Sequence, residues 1–355
     1  MRVRGKNILL RVDFNWPYEY RVAKTIPAVR ALLKNGAASV ILITHCEKDD
    51  KIIHLDSLHK YLRKFFKDIV FVKGPIKKMP EAFFDWYKNR VVLLDNLRFS
   101  PGEQDNTLVF AKILASWGDY YVNDAFAASH REHASIVLLP KLLPHEVGPL
   151  FKKEVENLSK FFKPRHPFLV VIAGNKFATK EPLISKFIKT ADAVFVGGAI
   201  GNAFLKKRGV DIGRSRVENT KIPKNILWHR KILLPEDWVT KNGVIYDAGP
   251  NTVKELVNLA KNSKLILWNG TLGLCEKGFT YGTQALALGL GRSKAYKVVG
   301  GGDTVAVIRK MKLEKNFDFI STGGGAMLEF LANGTLPGIA ALGEPRLRRE
   351  ALKKK

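Results

Sequence analysis

The chain alternates short apolar runs with amphipathic stretches along nearly its whole length. Runs such as VILI at 40–43 and VVLL at 91–94 contain no polar position. A strand with one face in water alternates apolar and polar residues, so uninterrupted runs predict strands that are buried on both faces. Strands of this kind are typical of parallel sheets covered by helices, and the pattern therefore predicts an α/β fold.

In the first half of the chain, strand and helix patterns follow one another regularly. Strands are predicted at residues 7–14, 39–44, 69–72, 91–94 and 120–122. Apolar residues at helical spacing predict helices between them at residues 26–33, 55–65, 80–87 and 108–117. The order of strand, helix and strand is that of a parallel sheet with crossover helices on its faces.

The second half repeats this alternation after a connecting stretch. Strands are predicted at residues 168–173, 193–196, 231–234, 265–268, 297–299 and 319–321. Between the halves, a polar stretch with helical character at residues 152–162 follows Gly148 and Pro149 and ends before Pro164. Because glycine and proline punctuate secondary structure, we interpret this stretch as a connector between two domains.

The length of the chain supports two domains. A single hydrophobic core rarely grows beyond about 250–300 residues, and this chain has 355. The predicted organisation is a first domain at 1–150, a hinge helix at 151–163, a second domain at 164–342 and a basic tail at 343–355. Each domain is expected to be Rossmann-like, with a parallel sheet flanked by helices.

The charge of the chain predicts anionic partners. There are 59 Lys and Arg residues against 33 Asp and Glu, which gives a formal net charge of +26. Such an excess favours phosphorylated metabolites, nucleotides or nucleic acid, although solvated surface lysines contribute much of it. The tail, EPRLRREALKKK, contains six basic residues.

Cysteine usage and apolar segments predict a cytoplasmic protein. Cys46 and Cys275 are far apart and form no C-x-x-C pattern, which excludes a disulfide framework and a cysteine zinc site. The N-terminal apolar run ends at Arg11 and Asp13, so we do not interpret it as a signal peptide. No uninterrupted apolar stretch is long enough to span a bilayer.

The chemistry is expected where the strands end, because ligands of open α/β sheets bind beyond the carboxyl ends of the strands. In the first half these positions are polar and largely cationic. They are Asp13, Asn15, Arg21, His45, Lys48, Asp95, Asn96, Arg98, Asn123, Asp124, His130, Arg131 and His133. Since the arginine fork suits carboxylate and phosphate oxygens, we predict a site for a small polyanion rather than a set of helix caps.

In the second half the corresponding positions are rich in glycine. They are Gly174, Gly197, Gly198, Asn269, Gly270, Gly300, Gly301, Gly302, Asp303, Thr304, Thr322, Gly323, Gly324 and Gly325. Glycine lets backbone N–H groups approach a ligand closely, and a helix N-terminus beyond it adds unsatisfied donors. One glycine turn is weak evidence, but several on one sheet edge predict a phosphate-rich ligand such as a nucleotide.

Three charged residues beside these glycines are expected to handle phosphates. Lys176 and Lys180 are four residues apart and would share one face if this segment is helical. Asp303 suits the N-cap of a helix predicted at 304–311, and it also suits Mg²⁺ shared with nucleotide phosphates. The two interpretations of Asp303 are compatible with each other.

Several other kinds of site are excluded by the motifs that the chain lacks. It contains no G-x-x-x-x-G-K-[ST] and is therefore not a P-loop NTPase. No G-x-G-x-x-G follows the first strand, which argues against a dinucleotide site in the first half. Neither a G-x-S-x-G elbow nor an H-E-x-x-H helix is present.

The segments around these residues resemble those of phosphoglycerate kinases. RVDFN at 11–15, and Arg21 with Pro27 six residues later, resemble the N-terminal signature of that family. The further matching segments, in the order of the family, are LLDNLRFSPGE (93–103), YVNDAFAASHREHAS (121–135), AGNKFATK (173–180), GGAIGNAFL (197–205), DAGPNT (247–252), WNGTLGLCE (268–276), GGGDT (300–304) and STGGGAMLE (321–329). The likeness extends from about Arg11 to Leu342, and so many motifs in one order are highly specific.

The resemblance implies a glycolytic, Mg²⁺-dependent transfer of a phosphoryl group from 1,3-bisphosphoglycerate to ADP, which gives 3-phosphoglycerate and ATP. It implies a monomer in which a phosphoglycerate-binding domain and a nucleotide-binding domain close on a hinge. The glycerate substrate would be bound by Asp13, Asn15, Arg21, His45, Lys48, Arg98 and Arg131. The nucleotide would be bound by Gly174, Lys176, Lys180, Gly197, Gly198, Asn269, Glu276, Gly302, Asp303 and Thr304.

The resemblance also implies roles within these sets. Arg21, Lys176, Lys180, Gly324 and Gly325 would act on the phosphoryl group in flight. Glu276 would reach the ribose, and Asp303 would hold Mg²⁺.

The chain departs from the family pattern at several positions. After His45 it reads Cys-Glu-Lys instead of Leu-Gly-Arg-Pro, so Lys48 stands where the family has a substrate arginine. Thr179 stands at an aspartate position, Thr271 at a proline and Ala199 at a third glycine. These departures concern affinity and rate more than the type of reaction.

Two alternatives stay open from the sequence. The charge and the tail suggest a non-catalytic protein that binds anions or nucleic acid, although no basic stretch interleaved with aromatic residues is present. The altered loop after His45 suggests a kinase for a different acyl phosphate.

Overall fold

The computed structural model describes residues 3–78, 87–88, 90–218 and 220–343, and these form two compact units. The first unit contains the described residues up to Glu156 and those from Thr335 to Gly343. Asn157–Gly334 form the second unit. The boundary between Glu156 and Asn157 falls within the predicted connector, which is a helix at Pro149–Leu158 followed by a 3₁₀ turn at Ser159–Phe162.

The prediction that the second domain extends to residue 342 is wrong. The helix Pro337–Ala341 belongs to the first unit, where the N–H of Gly338 donates to the carbonyl oxygen of Ser129 at 2.9 Å. A Cβ on Gly338 would lie 2.7 Å from Cβ of Ser129, so this close approach requires glycine. The predicted tail at 343–355 lies outside the described residues apart from Gly343.

The first unit is built on a six-stranded parallel sheet. Its strands, together with a small antiparallel hairpin of β3 and β4, are β1 (Asn7–Arg11), β2 (Ser39–Ile43), β3 (Glu47–Lys48), β4 (Lys51–Ile52), β5 (Val70–Val72), β6 (Val91–Leu94), β7 (Tyr120–Asn123) and β8 (His145–Val147). The order in the sheet is β5-β6-β2-β1-β7-β8, and each neighbouring pair is parallel.

Helices cover this sheet. Besides Pro149–Leu158 and Pro337–Ala341, the described α-helices of this unit are Glu19–Lys34, Asp56–Leu62, Pro101–Gln104, Leu108–Ala115, Ala134–Val137 and Leu139–Leu142. Short 3₁₀ turns lie at Leu97–Phe99 and Phe126–Ala128. Leu10, Leu42 and Leu93 on three adjacent strands are completely buried in one core. Each buried leucine of this kind stabilises the fold by about 1.5–3 kcal/mol relative to an exposed one.

The second unit repeats this architecture. Its strands are β9 (Phe168–Ile172), β10 (Ala193–Val196), β11 (Ile232–Leu233), β12 (Trp238–Lys241), β13 (Val244–Ala248), β14 (Leu265–Asn269), β15 (Tyr296–Gly300) and β16 (Phe319–Ile320). The parallel sheet has the order β11-β10-β9-β14-β15-β16, and β12 and β13 form a separate antiparallel hairpin.

The helices of the second unit lie between these strands, except for Gly325–Asn333, which follows the last of them. They are Glu181–Thr190, Gly198–Lys207, Lys224–Leu227, Pro250–Asn262, Tyr281–Gly291, Gly302–Lys310 and Gly325–Asn333, with 3₁₀ turns at Cys275–Lys277 and Glu314–Asn316. Trp268 of β14 is fully buried in the core, among apolar residues of the neighbouring strands and helices.

The predicted α/β class and the two parallel sheets are confirmed. The predicted helix at 80–87 lies outside the described residues apart from Tyr87. Strand β8 and the two hairpins were not predicted. Cys46 and Cys275 are both free, and among the described helices none combines the length and apolar character that a membrane span requires.

Candidate active site

A buried arginine organises the carboxyl edge of the first sheet. Arg11, the last residue of β1, is completely buried. Its Nε donates to Oγ of Ser135 at 3.0 Å, its Nη1 to the carbonyl oxygen of Val12 at 2.6 Å and its Nη2 to Nδ1 of His45 at 3.1 Å. Because arginine is only a donor, Nδ1 of a neutral His45 accepts, and the proton is carried by Nε2.

Three histidines at this edge are held in the neutral form. Burial, reinforced by the guanidinium of Arg11, lowers the pKa of His45 well below its ordinary value. Burial also lowers the pKa of His133 to about 4 and lowers that of His130, where the charge of Arg131 adds to the effect. Since the histidines are neutral at pH 7, they can act there as hydrogen-bond donors without adding charge.

Arg21 is fixed by two contacts at the start of the helix Glu19–Lys34. Its Nε lies 2.9 Å from Oδ2 of Asp13, and its Nη1 donates to the carbonyl oxygen of Asn15 at 2.7 Å. The guanidinium is only partly buried, and within the described residues its other N–H groups are available to an anion. The carboxylate of Asp13 thus orients the guanidinium of Arg21.

The structure brings most of the predicted glycerate-binding residues together. Arg98 and Arg131 both lower the pKa values of His45, His130 and His133, so the charges of the two guanidinium groups act on this cluster. The members of the cluster are Asp13, Arg21, His45, Arg98 and Arg131, together with Arg11, His130 and His133.

Two of the predicted residues have a different environment. Asn15 uses its Oδ1 to accept from the backbone N–H groups of Trp16 and Glu47, at 3.0 and 2.7 Å. The exposed ammonium of Lys48 lies 4.8 Å from the centre of the Trp16 ring, a cation–π contact on the hairpin. Asn15 therefore supports the loop after His45, and Lys48 packs against the ring of Trp16.

Asp124, at the end of β7, is a helix cap. Its Oδ1 accepts from the N–H groups of Leu150 and Phe151, at 2.7 and 3.1 Å, in the first turn of the helix Pro149–Leu158. Burial raises the pKa of Asp124 to about 7, and the two backbone donors oppose that shift. For this residue the interpretation as a cap is therefore the better one.

In the second unit, Lys180 reaches the centre of the carboxyl edge. Its ammonium donates to Oδ1 of Asn269, the buried last residue of β14. Burial lowers the pKa of Lys180 to about 8, and no carboxylate of the described residues offsets this effect. A desolvated ammonium without an acidic partner favours the approach of an anion.

Lys176 and Lys180 do not share a helical face, because the segment that contains them is not helical. The helix begins at Glu181, with Lys180 as its N-cap, and Lys176 lies in the preceding non-helical loop. Thr179 donates from Oγ1 to the carbonyl oxygen of Lys176 at 2.9 Å, and Glu218 accepts from the N–H of Phe177 at 2.6 Å. These bonds fix the loop that carries both lysines, of which Lys176 is exposed.

Glycine is required where the backbones of three loops approach one another. Gly270 has a φ of +102°, and a Cβ there would lie 1.9 Å from the carbonyl oxygen of Ala173. Gly198 has a φ of +64°, and its Cβ would lie 2.9 Å from the backbone nitrogen of Gly174. The loops after β9, β10 and β14 therefore form one continuous glycine-lined surface next to Lys180, and Gly197 is the N-cap of the helix after β10.

Gly270→Ala is expected to destabilise the protein by about 3 kcal/mol or more, because the Cβ adds a backbone clash to the strain of a positive φ. Gly278→Ala is the matched control, since Gly278 has a φ of +85° with nothing within 4 Å of its Cβ, and we expect about 1 kcal/mol there. Urea unfolding midpoints measure the difference. Equal midpoints for the two variants would contradict the close approach.

Two helices begin at the same edge with glycines. Gly324, with a φ of +52°, is the N-cap of the helix Gly325–Asn333, and Gly301, with a φ of +96°, is the N-cap of Gly302–Lys310. The first N–H groups of a helix have no intrahelical partner and carry the positive end of its dipole. Gly324, Gly325 and Gly302 thus lie at helix N-termini, which are favourable positions for an anion.

The prediction that Asp303 is an N-cap is wrong, because the helix begins one residue earlier, at Gly302. Asp303 lies in the first turn with its carboxylate exposed, beside the loop that contains Asn269 and Gly270. No group of three or more His, Cys, Asp or Glu residues that could hold a metal occurs in the part of the chain that the structure describes. One exposed carboxylate fits Mg²⁺ that is shared with nucleotide phosphates rather than enclosed by protein.

Two other predicted nucleotide residues have distinct positions. Thr304 is buried, and its Oγ1 accepts from the N–H of Gly270 at 3.1 Å, so its side chain supports the glycine loop. Glu276 is exposed in the 3₁₀ turn Cys275–Lys277.

Comparison with known proteins gives one consistent result. The family model described as phosphoglycerate kinase matches residues 1–334. The chain belongs to the phosphoglycerate kinase family. The phosphoglycerate kinase of Orientia tsutsugamushi (strain Ikeda) is 35% identical, with 96% of this chain and 95% of the relative covered. That of Coprothermobacter proteolyticus is also 35% identical, with 96% of each chain covered.

Solved structures of the family share the fold. The phosphoglycerate kinase of Pyrococcus horikoshii has a TM-score of 0.85 at 26% identity, with 99% of this chain and 98% of that chain covered. The enzyme of Coxiella burnetii has a TM-score of 0.80 at 29% identity, with 97% and 98% covered. The predictions of the family, of a phosphotransferase with a carboxyl acceptor and of phosphoglycerate kinase activity are confirmed. Neither of the two alternatives is supported.

Sequence reasoning did not assign three residues of the first unit that the structure places at this site. Arg11 contacts His45, and buried Glu103 accepts from both N–H and Oγ of Ser135, which links Glu103 to Arg11. Glu47 forms an ion pair with Arg98. Arg11 and Glu103 lie within the segments that match the family, and this match could have marked them as site residues. Glu47 lies in the segment that departs from the family, so no such match pointed to it.

Proposed function

We propose that this chain transfers a phosphoryl group from 1,3-bisphosphoglycerate to ADP in the presence of Mg²⁺, with the glycerate bound by the first unit and the nucleotide by the second. One observation supports the proposal. The carboxyl edge of each sheet gathers groups that suit an anion, arginines with neutral histidines in one unit and glycine-lined loops with Lys180 in the other.

In the first unit the residues bind and orient the glycerate. Arg98 and Arg131 supply charge for the carboxylate and phosphate oxygens, and His45 donates from Nε2, because Arg11 occupies its Nδ1. Arg21, held by Asp13 and Asn15, offers its free N–H groups to the glycerate substrate and, during transfer, to the phosphoryl group that moves. An acyl phosphate is already activated, so no strong general base is needed at this site.

In the second unit the residues neutralise the charge of the phosphates. Lys180 approaches from the side of Asn269, and the amides of Gly324 and Gly325 approach from a helix N-terminus. Phosphoryl transfer depends on alignment and charge stabilisation more than on covalent chemistry, which this set supplies. Asp303 would hold Mg²⁺, which would supply positive charge against the nucleotide phosphates. Glu276 is proposed to bind the ribose.

In-line transfer requires the donor and the acceptor in one water-free site. Because we assign the two substrates to different units, we propose that the units close on a hinge when both are bound. A decrease in the radius of gyration in solution scattering, with 3-phosphoglycerate and ATP together but with neither alone, is the expected signature. No change with both ligands would contradict closure.

A coupled assay of ATP formation from ADP and 1,3-bisphosphoglycerate, with and without Mg²⁺, tests the function. We expect turnover that depends on Mg²⁺. Turnover with acetyl phosphate but none with the bisphosphoglycerate would favour the different acyl-phosphate kinase. Nucleic-acid binding that survives loss of Lys176 and Lys180, without any turnover, would favour the binding protein.

The affinity for ADP is expected to fall as the pH rises above about 8, because the free protein then loses the ammonium charge of Lys180. Nucleotide phosphate favours the charged lysine, so binding near this pH takes up a proton, and the affinity decreases by at most about tenfold per pH unit. Calorimetry at pH 7.5 and 9.5 in buffers of different ionisation enthalpy measures both effects. Lys180→Arg keeps its positive charge over this pH range, so it should show neither the fall in affinity nor the proton uptake. If the wild-type protein took up no proton on binding ADP, the assignment of Lys180 to the nucleotide phosphates would be contradicted.

A further inference from the structure

The first unit contains an acidic side chain at a position where the proposed substrate would place its own anion. The side chain of Arg98 is only 3% exposed, and its Nη1 forms an ion pair with Oε1 of Glu47, which is 34% exposed. The substrate assigned to this unit carries a carboxylate and phosphates, which bind the same kind of donor. Glu47 and the substrate therefore compete for one guanidinium.

The backbone holds Glu47 in this position. The N–H of Glu47 donates to Oδ1 of Asn15 at 2.7 Å, and strand β3 pairs with β4 to close a short hairpin. The turn of the hairpin consists of Asp49 and Asp50, with φ values of 51° and 58°. The carboxylate is thus presented to Arg98 by a fixed segment.

One ion pair does not satisfy Arg98. Its Nε is buried and has no hydrogen-bond partner among the described residues. A buried donor without a partner costs free energy, which a ligand that accepts from it would recover. The charge of Arg98 still lowers the pKa values of His45 and His133, so the surroundings stay electropositive. Arg98 is therefore both occupied and still able to bind a further acceptor.

We propose that Glu47 is an internal competitor that occupies Arg98 in the free protein and thereby sets the affinity and selectivity of the glycerate site for anions. The proposal rests on the proposed function, since it takes Arg98 as a substrate ligand. A ligand that also contacts Arg21, Arg131 and His45 gains enough interactions to displace Glu47. Inorganic phosphate makes fewer contacts and is excluded more strongly. Glu47 acts through Arg98 and is a specificity-determining residue, not a catalytic one.

Glu47→Gln tests the proposal, with Asp50→Asn as the matched control. Both variants remove one negative charge from the same hairpin, and asparagine accepts the positive φ of position 50. In calorimetric titrations with inorganic phosphate, we expect Glu47→Gln to bind about tenfold more tightly than the wild type. The affinity of Asp50→Asn should equal that of the wild type. Glu47→Ala, which also removes the contact itself, should bind phosphate at least as tightly as Glu47→Gln.

Kinetics separate competition from a structural role. With ATP and 3-phosphoglycerate as substrates, competition predicts a lower KM for 3-phosphoglycerate in Glu47→Gln and stronger inhibition by phosphate, with kcat unchanged or reduced. If Glu47 merely positioned Arg98, Glu47→Gln and Glu47→Ala would both bind phosphate more weakly, and their KM for 3-phosphoglycerate would rise. Unchanged or weaker phosphate binding in these two variants overturns the proposal.

The phosphate titration needs no catalysis, so the two proposals can fail separately. Tighter phosphate binding in Glu47→Gln together with a wild type that forms no ATP would support competition at Arg98 and contradict the proposed function. Normal ATP formation by the wild type, together with unchanged phosphate binding in Glu47→Gln, would support the proposed function and contradict competition at Arg98.

Discussion

Lys180→Ala is expected to lower the rate of phosphoryl transfer by about 10²- to 10³-fold. The ammonium of Lys180 lies in a largely desolvated position, where a charge acts more strongly on a phosphoryl group than it would in water. It contacts Asn269 at the centre of the sheet edge, next to the glycine-lined loops. The loss should therefore appear in kcat and not only in KM for the nucleotide.

The fold should tolerate this change. Burial lowers the pKa of Lys180, which means that burying the charged form costs free energy in the free protein. Lys189→Ala is the control, because Lys189 is an exposed lysine on the same helix. Steady-state kinetics and thermal unfolding of both variants measure the two effects. A kcat near that of the wild type in Lys180→Ala, with the fold intact, would contradict the assignment.

Arg21→Ala is expected to reduce kcat by a similar factor, about 10²- to 10³-fold, while the structure of the first unit is retained. The guanidinium is oriented by Oδ2 of Asp13 and by the carbonyl oxygen of Asn15 before any ligand binds. Such preorganisation acts on charge that develops in the transition state, so kcat should fall more than KM rises.

Two variants sharpen the test of Arg21. Arg21→Lys should stay impaired by at least about tenfold, because lysine has no planar fork with which to contact Asp13, Asn15 and a phosphoryl group together. Arg30→Ala removes an exposed arginine from the same helix and should leave the kinetics unchanged. An Arg21→Lys enzyme as fast as the wild type would show that the geometry of the guanidinium is unimportant.

The sheet strands could be predicted where the apolar pattern was strong. Strands β2 and β6 are completely buried, and their uninterrupted apolar runs gave the correct positions. Strand β8 has the sequence HEV and lies at the edge of the sheet, so its pattern carries no signal of burial. The contact of Gly338 with Ser129 joins residues far apart in sequence, and no local pattern reveals which unit the last helix joins.

The positions of side chains at the sheet edge could be predicted where a residue comes soon after a strand. Asp13 and His45 follow the ends of β1 and β2 by two residues and Arg98 follows β6 by four, and all three lie near Arg11 at one edge. The N-cap of its helix was assigned to Asp303, two positions too late, because Gly301, with its positive φ, is the N-cap in the structure. The partner of Arg98 could not be predicted, since Glu47 reaches it through a hairpin of two-residue strands with charged side chains.

The assignment of one substrate to each unit is tested most directly by calorimetric titration of 3-phosphoglycerate and of ADP into the wild type, Arg21→Ala and Lys180→Ala. We expect Arg21→Ala to lose affinity for 3-phosphoglycerate while it binds ADP as the wild type does. Lys180→Ala should lose affinity for ADP and keep that for 3-phosphoglycerate. If each substitution weakened both ligands equally, or if the two losses were exchanged, the assignment would be wrong.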